Sequence, residues 1–141
     1  MSEFVEKVRH YYQDAYLNCS EAIIRAANDH YGLDISDGDL RMFGSYGGGM
    51  FSGLICGVLC ASVAVLGKMI IKENAREEQS EIRPLFQKLI RSFKEELGGN
   101  SCPELKPKYF SRETACWETV RRGAEVLEKT IEEIREKQNI G

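Results

Sequence analysis

The chain has few prolines, only two histidines, no excess of basic residues and no CxxC pair, although it carries five cysteines. Each shortage excludes something. A net charge of −3 removes the electrostatic case for nucleic acid. His10 and His30 fall on predicted helix surfaces, so neither a Ser-His-Asp nor a Cys-His arrangement can be built from them. Three prolines and scarce strand-like alternation point away from β structure. The first residues, MSEFVEKVRHYYQD, bring charge by position 3 and no apolar run, unlike a signal peptide. With an odd cysteine count, this predicts a reducing cytoplasm, where clustered cysteines serve metals, catalysis or redox chemistry more than structural disulfides.

Long apolar stretches are also short of what a membrane asks. Met50 to Gly67 is 18 residues without a charge, diluted by Ser52, Gly53, Gly57 and Ser62. A spanning helix needs about 20 predominantly apolar residues, so the stretch predicts a central helix buried on all sides. The remaining composition, 43% hydrophobic and 29% charged, is that of a globular protein, and 141 residues fit one domain, 1–141.

What is present is helical periodicity. Phe4, Val8, Tyr11, Tyr12 and Ala15 predict an amphipathic helix over 3–17. Asn18 with Glu21 three positions on resembles a capping box that starts a second helix at Cys19 and runs to Gly32. Ser36 starts a short third. Five glycines within 44–53 cannot hold a regular helix, so this stretch reads as a loop feeding the apolar helix at 54–74. Pro84 fits a first helical turn, and Leu85, Phe86, Leu89, Ile90, Phe93 and Leu97 carry that helix to Gly98. Pro103 and Pro107 make 101–110 a connector. Ser111 caps a last helix over 112–138, with Cys116, Val120, Ala124, Leu127, Ile131 and Ile134 on one stripe. The expected fold is an all-α bundle of about five to six helices with a buried apolar central helix and a Gly-rich loop.

The cysteines carry the candidate chemistry. Cys56 and Cys60 stand four apart in the apolar run, on one helix face. That spacing suits two ligands of one metal better than a mutual disulfide; both are equally readable as small buried residues. Cys19 and Cys102 each follow a predicted cap (Asn18, Ser101) and so stand at the positive end of a helix. This predicts a thiol biased toward thiolate at neutral pH. Cys116 reads as a thiol packed on the core stripe. The loop at 44–53 lacks GxxxxGK[ST] and a preceding strand, so phosphate binding is not supported. A close backbone approach fits it better, with amides free to donate to sulfur.

The run Asn18-Cys19-Ser20-Glu21-Ala22, then Phe43-Gly44, Gly47-Gly48-Gly49-Met50, Cys56-Gly57, Cys102-Pro103-Glu104-Leu105 and Cys116 resembles the small C_GCAxxG_C_C proteins. Its members are described as redox-active, with four characteristic cysteines and a CGAxxG motif. The resemblance spans roughly residues 15–125. It implies that Cys19, Cys56, Cys102 and Cys116 form the site. Cys60 is then an extra thiol: a fifth ligand, a resolving thiol or core filler. Residues 56–61 read CGVLCA, with Val58 and Ala61 replacing the motif's alanine and second glycine.

Three functional readings stay open. The four thiolates hold an iron–sulfur cluster, or zinc by the same ligand count, for electron transfer. Alternatively the protein is a metal-free dithiol/disulfide carrier in which Cys19 or Cys102 attacks and Cys56 or Cys116 resolves. The third reading is an interaction module with inert cysteines. In the first, Gly47, Gly48, Gly49 and Gly57 are the backbone candidates to approach the cofactor. A redox partner protein is expected, nucleic acid and membrane are not, and homodimerisation is the base-rate expectation for such a small helical domain.

Overall fold

The computed structural model describes residues 1–140, and all secondary structure among them is helical apart from two isolated bridges. Seven α-helices occur, one more than the upper sequence expectation. Ser2 caps α1 (Glu3–Arg9), which widens into a π turn at His10–Asp14 instead of staying α-helical to residue 17. The capping box forms: Asn18 accepts from the Glu21 amide at 3.0 Å, and Glu21 accepts from the Asn18 amide at 3.1 Å. It starts α2 (Cys19–Tyr31), which stops at Gly32, left-handed at φ 63°. Ser36 caps the four-residue α3 (Asp37–Leu40), which tightens into a 3₁₀ turn through Tyr46.

The apolar helix is shorter than expected. It is α4 (Gly57–Ile70), because Leu54 and Ile55 are drawn into an extended bridge with Ser101. It is not buried on all sides. Val58, Leu59, Ala61, Ser62, Val65 and Leu66 are buried, but Cys60, Val63, Ala64 and Gly67 form a half-buried stripe. Among the described residues no helix is long and apolar enough to cross a membrane.

The fifth helix, α5 (Gln79–Leu97), begins well before Pro84, so this proline is interior rather than in the first turn; it is exposed, where a missing N–H costs least. The proline-bearing connector is instead a helix, α6 (Cys102–Tyr109), with Pro103 at its second position and Ser101 as its cap. The last helix, α7 (Trp117–Ile140), starts five residues later than expected. Residues 111–115 form a tight turn in which Ser111 and Ala115 exchange backbone hydrogen bonds of 3.1 and 2.8 Å.

The core lies where α2 and α4 pack together, with α1 and α7 closing over them and α5 against α7. Phe4, Ile23, Ile24, Leu66, Leu89, Phe93, Leu127 and Ile131 are all but inaccessible to solvent. Gly123 lets α7 come close to α4 and α5; a Cβ there would press on Val58 and lie 3.0 Å from Phe93. Around this core, residues from the starts of α2, α4, α6 and α7 line one cavity.

Candidate functional site

Four cysteines sit at four helix starts. Cys19 is the first residue of α2 and Cys102 the first of α6. Cys56 is the residue before α4, extended at φ −55°, ψ 130°, and Cys116 immediately precedes α7, whose first turn closes through Val120 N–H to Cys116 O at 3.0 Å. Neither of the last two lies within a helix, as periodicity had placed them. All four line one cavity of about 750 Å³. Gly48, Gly57, Tyr12, Asn18, Lys106 and Arg112 share its wall.

The convergence has local causes. Ile55 and Ser101 form an antiparallel bridge; Cys56 N–H donates to Asn100 O and Cys102 N–H to Leu54 O, both at 2.9 Å. Side chains alternate along extended backbone, so Cys56 and Cys102, each one residue past the bridge, project to the same side of it. Cys19 is brought to them by Gly57. A Cβ at Gly57 would stand 2.8 Å from the Cys19 sulfur and 2.7 Å from the Tyr46 carbonyl oxygen. Cys116 is held from the far side of the chain, its N–H donating to the Tyr12 hydroxyl at 2.9 Å.

The glycine loop is a built element. Gly48, Gly49, Met50 and Phe51 are successive left-handed residues, at φ 64°, 64°, 63° and 56°. For the two that carry a Cβ, this costs roughly 1–2 kcal/mol each. The turn brings the Gly48 amide to the Cys19 sulfur, whose ionised form it favours. Of the four candidate glycines, Gly48 and Gly57 reach the cavity. Gly47 packs on the Asn18 amide and Gly49 on the Leu54 backbone, so these two support the loop one layer back.

Cys60 is not part of this wall. The shared face expected for residues 56 and 60 requires both to be helical. Cys56 is not, and Cys60 falls on the half-buried stripe of α4. Cys19, Cys56 and Cys116 each feel at least one other cavity thiol, whereas Cys60 is affected only by burial and its own backbone.

The expected thiolate bias at Cys19 is reversed. Burial pushes the Cys19 thiol up to about 11, the Gly48 amide pulls against it, and Cys116 and Cys102 push it further. Burial takes Cys56 to about 12, with Cys19 the next cause and the Val58 and Leu59 amides opposing. Cys116 is also raised by burial, with Lys106 opposing. Desolvation outweighs the helix ends at these positions, so Cys19, Cys56 and Cys116 are neutral thiols when no metal is bound.

This fixes the sign of a pH dependence. A thiol whose folded pKa lies above its ordinary 9.0 contributes stability that is present below 9.0 and lost as pH rises toward 11 and 12. Metal-free protein is expected to lose about 1.4 kcal/mol per pH unit for each such thiol above about pH 9. Urea unfolding midpoints from about pH 8 to about pH 10 measure it, and Cys56→Ala should flatten the slope by one thiol's share.

Periodicity placed Tyr12 on the apolar face of the first helix and gave Lys106 and Arg112 no role; the structure puts all three on the cavity wall. A tyrosine seven residues before a cysteine carries no local signal of this. Its partner, Cys116, is 104 residues away. Among the described residues no three His, Cys, Asp or Glu side chains stand close enough together to hold one metal ion.

With the site in view, comparison with known proteins places the chain. Residues 17–130 match the family model described as "Putative redox-active protein (C_GCAxxG_C_C)", and the protein belongs to that family. No curated protein and no solved structure matches it.

Proposed function

We propose that the cavity binds an iron–sulfur cluster through Cys19, Cys56, Cys102 and Cys116, and that the protein passes single electrons between a donor and an acceptor protein. The observation that carries this reading is the arrangement of the sulfurs: four thiols around one sizeable cavity, each at a helix start. A single zinc ion would need its sulfurs at about 2.3 Å, hence within about 4 Å of one another. The donors are not gathered that tightly. A cluster, which carries its own sulfides, spaces its cysteine ligands more widely and fits such a cavity.

The donor set suits the charge as well. Each thiol must give up its proton on ligation, which burial resists at Cys19 and Cys56. Iron would supply the positive charge, and the amides of Ser20 at the start of α2 and of Val58 and Leu59 at the start of α4 face the Cys19 and Cys56 sulfurs. When bound, the cluster supplies one-electron chemistry. The protein's own residues hold the sulfurs, direct the Gly48 amide at Cys19 and limit water around Cys56. The dithiol-carrier reading needs an attacking thiol of low pKa, and the raised values of Cys19, Cys56 and Cys116 do not support one of these as the attacker.

Protein prepared without air is expected to be brown and to contain iron and acid-labile sulfide in equal amounts. A colourless, metal-free protein whose thiols cycle reversibly would replace this reading with the dithiol carrier. Native protein that neither binds metal nor reacts with alkylating reagent would leave only an interaction module.

A further inference from the structure

We propose that Tyr12 is a positioning residue for Cys116, its phenol oxygen accepting from the Cys116 N–H while its own O–H donates to the Cys116 sulfur. The role deepens the cluster reading and rests on it for the sulfur half. The amide contact is 2.9 Å. A phenol has one proton, and an oxygen that already accepts from an amide presents that proton elsewhere. We assign it to the sulfur of the same residue, with which the Tyr12 hydroxyl interacts.

Three features hold the pair together. The π turn at His10–Asp14, closed by Ala15 N–H to His10 O at 2.9 Å, changes the angular register of the first helix just where Tyr12 sits. The neighbour Tyr11 goes instead to Asp29, so the two tyrosines do not share one core stripe. Single π turns of this kind are common at functional positions. The Tyr12 ring stacks on Trp117, the residue after Cys116, with centroids 6.3 Å apart and planes at 26°. Ala115 takes a left-handed φ of 52°, a conformation unfavourable for alanine, and thereby turns the Cys116 amide toward the ring oxygen.

A donor to a ligand sulfur stabilises the reduced, more negative state of a cluster and raises its potential. Tyr12→Phe keeps the ring and its stacking on Trp117 and removes only the oxygen. In metal-free protein, hydrogen exchange of the Cys116 amide should quicken at least about tenfold, while the Val120 amide, bonded to Cys116 O, stays protected. In loaded protein the reduction equilibrium should weaken about tenfold, which for a one-electron couple is 59 mV toward negative potential. Tyr11→Phe, which removes only the hydroxyl bonded to Asp29, should move neither quantity. Unchanged Cys116 exchange in Tyr12→Phe overturns the proposal. Faster exchange with an unmoved potential overturns its sulfur half. Wild-type protein that takes up no iron sinks the cluster reading instead, and the amide measurement, made without metal, still decides whether Tyr12 anchors Cys116.

Discussion

Gly57→Ala is expected to destabilise the protein by about 3 kcal/mol and to abolish loading of the site, although it adds one methyl group. The methyl would lie 2.7 Å from the Tyr46 carbonyl oxygen and 2.8 Å from the Cys19 sulfur. Neither neighbour yields cheaply. Tyr46 ends the 3₁₀ turn leading into the glycine loop, and Cys19 is fixed by the capping box of α2 and by the Gly48 amide. Relief must come from moving α4 away from α2, and these two helices form the centre of the core. Gly48→Ala is the contrasting case. It sits at φ 64° with nothing within 4 Å of a built Cβ, so only the left-handed conformation is penalised, by about 1–2 kcal/mol. Urea unfolding of both variants, read beside iron content, separates the two kinds of glycine. A Gly57→Ala protein as stable as wild type would show that the α2–α4 approach is looser than described.

The site was legible in the sequence where its geometry is local and hidden where it is long-range. Asn18 and Glu21 lie within one turn of each other, so the start of α2 at Cys19 could be read directly. The start of α4 could not. Leu54 and Ile55 continue the apolar run in composition, and only pairing with residues 100–102 makes them extended. That pairing moves Cys56 from inside a helix to its threshold and removes the face it seemed to share with Cys60. Residues 101–110 misled for another reason. Two prolines suggest a break, yet Pro103 occupies a first-turn position that needs no amide partner. The last helix was drawn too early because Ser111 is a plausible cap; the left-handed Ala115 delays its start. Correcting all three yields one regularity. Every family cysteine stands at a helix start, and the thiol that does not is Cys60.

That distinction sets the second large effect. In anaerobically prepared protein, Cys56→Ser should hold at least roughly tenfold less iron than wild type, since even a lost supporting contact at a metal site costs 10–100-fold. A serine oxygen is a harder and less readily ionised donor than a thiol, and the buried position of Cys56 makes its ionisation harder still. Cys60→Ser should keep wild-type iron and lie within about 1 kcal/mol of wild-type stability. Its position is only half-buried, and a serine hydroxyl there is one turn from the Cys56 carbonyl, which can accept from it. The same pair of variants discriminates between the chemistries. For an inert module, both substitutions are small changes to a helix and its threshold, with no iron to lose. For a cluster held by four helix starts, they differ by everything the site contains. Equal and complete loss of iron in both would mean that the first turn of α4 rearranges on loading to bring Cys60 inward as a fifth member. The half-buried stripe on which Cys60 sits gives no path for that short of rotating the helix against α2.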